Sequence, residues 1–584
     1  MNTPVDIAII GASTGGCAAA LSAEGQTVLT EETDWIGGQF TAQGVSAPDE
    51  HAYIETFGST RTYADLRAAI RQLYQTRYNA PAIMAESVLG PNMPLNPGNG
   101  WVSRLCFLPA HGLEVLEGML SAAAVWRGET PVSAAVDNGQ IKHLTLRSGR
   151  TISARYFLDA TDLGDLLPLA GAPFLTGAES QAETGEPHAA PEARPGETQG
   201  FTACFAVEYR PGENHIITPP EGYADFRHYY TLSPTGRDGQ PVIYRMFENS
   251  VQGNLPFWSY RRLYDGALLG GNDIALINWI SNDYHGRGLL EDYPRALDEA
   301  KRLSLGFLYW LQTECPRDDG QGEGYPELKL RLDVMGTADG LSKTPYIRES
   351  RRIVPLQRVV EQDITAEFNP GARARHFSSS VGIGWYAMDL HPCVGNPTVS
   401  MYAPTKPFQI PLGALIPQGM TNLIAACKNI GTTHLTNGAY RLHPIEWAIG
   451  EAAGALASFC IRQDLTPQQV LADPWQVWRL QYALVARGCP VFWAVDVPVG
   501  HAAFLATQLL LVRDVIVPQG DRWTQLEIGL DQPLGDSIDL IRLQALADEL
   551  NTHLGQNVVS ALRRDLTWAA TCAAFHPGLE AALR

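Results

Sequence analysis

Positive charge is scarce: 43 Lys and Arg stand against 62 Asp and Glu in 584 residues, a formal charge of −19, and no basic run exists that would track phosphates. Nucleic acid and anionic membrane surfaces are therefore not expected partners. No apolar stretch is long enough to span a bilayer, so no transmembrane segment is expected. The N-terminus has no basic region followed by an apolar one, so no cleaved signal peptide is expected either. The nine cysteines are scattered, odd in number and never spaced C-x-x-C. That argues against a disulfide framework, a redox-active disulfide and a zinc site, and points to reduced thiols in the cytoplasm. No H-E-x-x-H spacing occurs, so no metal is expected, and no second glycine-rich strand-turn-helix offers a nicotinamide cofactor its own domain.

What remains is an ordinary globular composition, 45% apolar and 18% charged. At this length two or more packed units are expected. The chain enters "DIAIIGASTGGCAAALSAEGQTVLTE" almost at once, with an apolar run Ile7–Ile10, glycines at 11, 15 and 16, and a small-residue run after them. This is nearly the G-x-G-x-x-G turn of a dinucleotide-binding unit, with Ser13 in place of the middle glycine. Gly11 suits the tight turn and Gly16 the close helix–strand packing. Ser13 would either crowd a phosphate or donate to it. The helix that starts near Thr14 turns unpaired N–H groups toward an anion. Glu31 ends the next strand, where an acidic group accepts from a ribose hydroxyl.

Further along, 111–125 has helical apolar spacing. Three strand-like runs follow, punctuated by the turn pairs Asn138-Gly139 and Ser148-Gly149. Residues 180–200 are rich in Pro, Glu and Gly without period, which predicts a surface loop or flap. Residues 201–335 are aromatic and irregular, with a helix expected at 293–313; 466–584 is mostly helical in pattern.

Together with "ETDWIGGQFTAQG", "YFLDATDLGDLLPLAG", "TPYIRESRRI", "SVGIGWYAMDLHPC" and "NLIAACKNIGTTHLTNGAYRLHPIEWAIGEAAGALAS", the opening turn resembles the glutathione-reductase-like FAD superfamily, and within it the bacterial FAD-dependent oxidoreductases sometimes labelled xanthan-lyase-like. The resemblance implies an α/β fold with a split Rossmann-like FAD-binding domain (1–175 and 401–465), an inserted substrate or cap domain (176–400) and a mostly helical C-terminal extension (466–584). It implies that Gly11, Ser13, Thr14, Gly15 and Gly16 cradle the FAD pyrophosphate and that Glu31 holds the adenosine ribose. Gly37, Gly38 and Gln39 would pass the ribityl chain, and Asp159, Ala160 and Thr161 would bring backbone back to the cofactor. The helix opened by Asn437, Gly438, Arg441, His443, Pro444 and Ile445 would face the flavin pyrimidine edge, where a helix N-terminus stabilises the negative charge of a reduced flavin. Where relatives carry an acidic ribityl contact, this chain has Cys427-Lys428, so Lys428 or Asn429 would substitute.

The expected activity is two-electron oxidation of a small or medium organic substrate, hydride passing to flavin N5. The acceptor, oxygen or a redox partner, is not encoded in these motifs. A flavin-dependent monooxygenase is the alternative. His391 and His443, each before a proline, are candidate bases, His443 also as a flavin contact. Arg348 and Arg351 belong to a charge cluster that either forms ion pairs or anchors a polar substrate group. Tyr386 is a further candidate acid. Segment 493–550 faintly resembles one S-layer homology unit, with Gly535-Asp536-Ser537-Ile538 where such units carry a polar helix start. A wall-binding protein is therefore a second alternative, against a helical cap packed on the FAD domain.

Overall fold

Four buried apolar residues in a row, Ile7–Ile10, need cover on both faces, and a central parallel strand supplies it. In the computed structural model, which describes residues 2–236, 239–397, 401–513, 526–533, 537–559, 562–563 and 565–584, that strand is β1 (Asn2–Ile10). The turn leads into α1 (Thr14–Ser22), then β2 (Thr27–Glu31), parallel to β1. The helical spacing of 111–125 holds only to the helix Pro109–Met119. Beyond it β3 (Ala124–Arg127) joins the free edge of β2, so sheet pairing overrides local periodicity there. β4 (Pro131–Asp137) and β5 (Gln140–Leu146) form the hairpin announced by Asn138-Gly139, both at positive φ as such a turn requires. β6 (Thr151–Asp159) runs parallel to β1 and takes β5 antiparallel at its N-terminal end.

The aromatic middle segment forms a separate antiparallel sheet. β7 (Phe205–Tyr209) lies beside β9 (Ile274–Ile277), which also pairs with β8 (Arg262–Tyr264). α2 (Tyr293–Thr313), capped by Asp292, spans the expected helix, and β10 (Leu328–Leu330) closes the sheet against β7. Phe205, Phe307 and Trp310 fill its core. The 180–200 segment is not merely a surface flap. Glu186 is 1% and Gln199 2% exposed, because their polar groups find partners inside: Glu186 accepts from Thr433 Oγ1, and the Gln199 amide donates to Glu349.

The chain then returns to the first body. β11 (Ser380–Gly384) pairs antiparallel with β12 (Phe408–Pro411), and β13 (Leu423–Ala425) adds a fifth parallel strand beside β6. The parallel order is thus β3-β2-β1-β6-β13. Two helices follow, α3 (His434–Tyr440) and α4 (His443–Gln463). The expected single helix from Asn437 is broken because Pro444 has no N–H and fits only the first turn of a helix, so the long one starts at His443. α4 lies on α1 at backbone contact: a Cβ on Gly450 would stand 2.0 Å from Gly15 O, and one on Gly454 2.3 Å from Ala19 O.

The C-terminal extension begins with a short helix, Pro467–Ala472, and continues with α5 (Pro474–Ala486), α6 (Phe504–Val512), α7 (Ser537–Leu554) and α8 (Trp568–Leu583). It packs on the body through fully buried Trp478 and Trp493. Trp493 donates to Phe408 O, and Gln481 donates to Ser378 O and Ser380 O. This is the helical cap rather than a free-standing unit; Gly535 and Asp536 of the S-layer-like string lie outside the described residues. Among the described residues, no helix is long and apolar enough to cross a membrane.

Candidate active site

Two clefts meet across the segment 344–348. Thr344 and Ile347 line the first, Tyr346 and Arg348 the second.

The first cleft, about 600 Å³, lies at the carboxyl ends of β1, β2 and β6, where open α/β sheets bind ligands. Gly11, Ser13, Glu31, Gly38, Ala160 and Thr161 line it. Gly11 (φ +93) and Gly38 (φ +51) are held where a Cβ would strike the backbone of Ala160 at 2.5 Å and of Ser13 at 2.8 Å. Gly16 allows the close helix–strand packing expected of it, and Gly15 allows a further close approach. Cβ atoms there would meet Ala426 O at 2.1 Å and Gly11 O at 2.0 Å. Their N–H groups donate to Glu446 Oε1 (3.1 Å) and Ser13 Oγ (3.2 Å). Ser13 is thereby the N-cap of α1, its hydroxyl oxygen accepting from the helix while the residue lines the cleft. Thr14, fully buried, ties the turn to the next loop by donating to Gly37 O at 3.1 Å.

Glu31 takes Ala12 N–H (3.2 Å) and both the N–H and hydroxyl of Thr33 (2.8 and 2.7 Å). Burial pushes its carboxyl up to about 7 and that of neighbouring Glu32 up to about 8. Asp159 faces inward: Oδ1 accepts from Thr161 N–H and hydroxyl and Oδ2 from Leu166 N–H, with burial raising it to about 7. Its side chain shapes the 160–166 loop. Lys428 reaches Asp162 at 2.5 Å and Glu446 at 3.8 Å; burial opposes its charge, but these two carboxylates hold the ammonium protonated. Asn429 donates to Asp159 O (3.1 Å), joining the ends of β6 and β13. Gln39 donates to Arg441 O at 3.0 Å and also to Glu446.

The helix residues scatter. Asn437 takes the Gln199 amide at 3.2 Å, and Gly438 allows the helix to touch Asp389, whose backbone O a Cβ would meet at 2.8 Å. Ile445 and Pro444 are buried, Ile445 against Gly384. None of these four lines either cleft. His443 is fully buried, bonded to Val45 O (2.9 Å) and packed on Phe40, and burial lowers it to about 3. It is a neutral core histidine and not the base.

The second cleft, about 770 Å³, holds charge in pairs: Asp49 with Arg261 (3.1 Å), Asp389 with Arg441 (3.4 Å), and Asp283 with Arg348 (2.9 Å) behind the wall. His391 completes it. Its Nδ1 lies 2.6 Å from Asp283 Oδ2 and its Nε2 3.4 Å from Asp389 Oδ2. Burial alone would raise the Asp283 carboxyl, but Arg348 and His391 overcome it and hold it well below the carboxylate range. Arg348 spends its guanidinium on Gly200 O (2.8 Å), Thr202 Oγ1 (3.0 Å) and Asp283, so it positions that carboxylate rather than anchoring substrate. Arg351 belongs elsewhere, on Leu163 O (2.9 Å) and Asp165 (3.2 Å) at the first cleft. Tyr386 lines the second cleft, its phenol held neutral by burial. Arg441, expected at the cofactor, stands in this cleft too, on Tyr346 Oη at 3.0 Å.

Sequence reasoning missed Asp283 and Gln43. Gln43 is fully buried, yet both of its amide atoms lack a partner. A donor beside an acceptor fits the O=C–N–H edge of a flavin, and the glycine cradle and Glu31 fit its adenosine end.

A family model described as FAD dependent oxidoreductase matches residues 6–484. The chain belongs to this family. It is an FAD-dependent oxidoreductase with a Rossmann-like FAD-binding domain, and FAD is its cofactor. A search of curated proteins found no match. Solved structures similar to the flavoenzyme include a mutant flavin monooxygenase from Stenotrophomonas maltophilia (18% identity over 27% of this chain and 38% of that one, TM-score 0.15). Another is L-proline dehydrogenase from P. horikoshii (12%, 30% and 24%, TM-score 0.14). The chain thus spans well under two thirds of the length of both. A geranylgeranyl bacteriochlorophyll reductase-like protein from Thermoplasma acidophilum aligns over 95% of this chain and 99% of its own, at 11% identity and TM-score 0.30.

Proposed function

We propose that this flavoenzyme oxidises a small or medium organic substrate bearing an ionisable O–H or N–H, bound in the second cleft, with His391 as the base. The carrying observation is the Asp283–His391 contact of 2.6 Å. An ionised Asp283 on Nδ1 fixes the ring, so that Nε2, 3.4 Å from Asp389 Oδ2, is the nitrogen facing the cleft and placed to exchange a proton with substrate. Bound FAD supplies the two-electron acceptor for the substrate hydride. Arg441 and Tyr386 present donors that orient the substrate heteroatom, while Trp279, Tyr260 and Tyr346 supply flat apolar wall. Glu31, Lys428 and Gln43 are assigned to the cofactor side, and the product leaves as the C=O or C=N compound. Nine free, buried cysteines support a reducing, cytoplasmic setting.

The test is anaerobic flavin bleaching by panels of alcohols, amines, sugars and ring compounds. His391→Asn should slow bleaching by the active class about 100-fold or more, while His443→Gln leaves the pH profile of the reaction unchanged. Equal rates for His391→Asn and wild type would remove His391 as the base.

A further inference from the structure

Glu197, Cys393 and His434 come from three distant parts of the chain. Yet a carboxylate oxygen, the thiol sulfur and an imidazole nitrogen lie within 4.8 Å of one another, and all three residues are buried. Cys393 Sγ stands 3.8 Å from His434 Nε2. Tetrahedral bonds of about 2.3 Å to sulfur and about 2.05 Å to nitrogen would set that edge at ~3.6 Å.

The ring is aimed from behind. His434 Nδ1 lies 2.8 Å from Glu349 Oε2, and Glu349 is itself held by Arg352 at 3.2 Å and by the Gln199 N–H at 3.2 Å. A carboxylate on the far nitrogen fixes the ring and sends the other nitrogen's lone pair forward, as in the outer shell of metal-bound histidines. The sulfur and the carboxylate are set by one turn. Cys393 and Asn396 exchange backbone bonds of 3.1 and 2.9 Å, and Asn396 Nδ2 donates to Glu197 Oε1 at 3.0 Å. Without an ion the thiol has His391 O at 3.2 Å, and Glu197 Oε2 has Arg194 at 3.0 Å. Both are partners that an ion would displace or share.

We propose that Glu197, Cys393 and His434 bind one divalent ion of the zinc class. Thiolate, imidazole and carboxylate together favour zinc over the oxygen-seeking magnesium and calcium. Binding exchanges the thiol proton for the ion: an S–H bond breaks, a metal–sulfur bond forms, the proton goes to solvent, and no electrons move. The ion would tie the 194–199 segment, the 391–396 turn and the start of α3 into one unit. His391 lies two residues from the sulfur, so the ion pins the segment that carries the base. Spacings of this kind match no metal motif, which is why the sequence predicts none. The site does not depend on the redox reading of the second cleft.

The experiment uses the full FAD-loaded chain, stripped with chelator and dialysed against micromolar Zn²⁺ or Co²⁺. The expected result is about one ion per chain, with a thiolate-to-cobalt charge-transfer band in the near ultraviolet. Cys393→Ser and His434→Gln should lose the ion while keeping flavin absorbance and far-ultraviolet dichroism. Glu197→Gln should weaken binding about 10- to 100-fold. Wild-type protein that carries FAD but takes up neither ion, or binds cobalt without the sulfur band, overturns the site, as does full uptake by Cys393→Ser. Should Cys393→Ser fail to fold, Cys393→Ala and the wild-type cobalt spectrum decide.

Discussion

Replacing Asp283 by Asn should be among the most damaging single changes in the cap. The carboxylate is fully shielded from solvent and has three partners: Arg348 at 2.9 Å, His391 at 2.6 Å and the Thr202 hydroxyl at 2.5 Å. At an effective dielectric of 20 the Arg348 contact alone is a gross attraction of about 6 kcal/mol. Most of that offsets desolvation, but deleting one partner strands the other, since Arg348 is 2% exposed. Stranding a buried charge costs about 3–5 kcal/mol. The pH dependence has a definite sign. Arg348 and His391 hold the folded carboxyl below its unfolded value, so its contribution is fully present above about pH 4 and is lost as pH falls toward the folded value. Urea unfolding followed by tryptophan fluorescence should show Asp283→Asn losing about 3–5 kcal/mol at pH 7, with the gap to wild type narrowing below about pH 4. Adding Arg348→Met, which removes the stranded charge, should recover part of the loss. A loss under about 1 kcal/mol at pH 7, or a gap indifferent to acid, refutes the reading that this pair is buried and ionised.

Four further outcomes are expected. Glu31→Ala should weaken FAD retention at least about 10-fold, because the ribose loses a carboxyl acceptor; fluorescence titration of apoprotein with FAD measures it. Gly450→Ala should yield little FAD-loaded protein, because its Cβ would stand 2.0 Å from Gly15 O and push α4 off α1; flavin content per chain is the readout. Burial lowers His443 to about 3, so the unfolded chain binds a proton below about pH 6.5 that the native state refuses. Stability should fall from there toward pH 3, and His443→Gln, which can still donate to Val45 O, should flatten that limb in acid unfolding. Truncation after residue 465 should give aggregated protein, since Trp493 and Trp478 leave a buried apolar face behind; soluble, yellow truncated protein would restore the detachable wall-binding tail.

Local chemistry determined much of this molecule from the sequence alone. A glycine at positive φ, an Asn-Gly pair, an apolar run of strand length and a helix capped by Asp292 carry their conformations in a few adjacent residues, so β1, the β4–β5 hairpin and α2 are legible in the sequence. The motif strings locate the neighbourhood of the site as well, down to His391. Roles within that neighbourhood are another matter. His391 and His443 look alike in sequence, each before a proline, but one meets Asp283 at the wall of a cleft and the other is sealed against Phe40 and Val45. Asp283 is 108 positions from His391, and Glu446 is 431 from the Gly15 amide it caps. No spacing encodes such partnerships. Burial, charge pairing and close backbone approach depend on which segments the tertiary packing brings within a few ångströms. Only the folded chain could decide that Ser13 caps a helix, that Arg351 binds Leu163 and Asp165 at the edge of the first cleft, and that Arg348 holds a carboxylate.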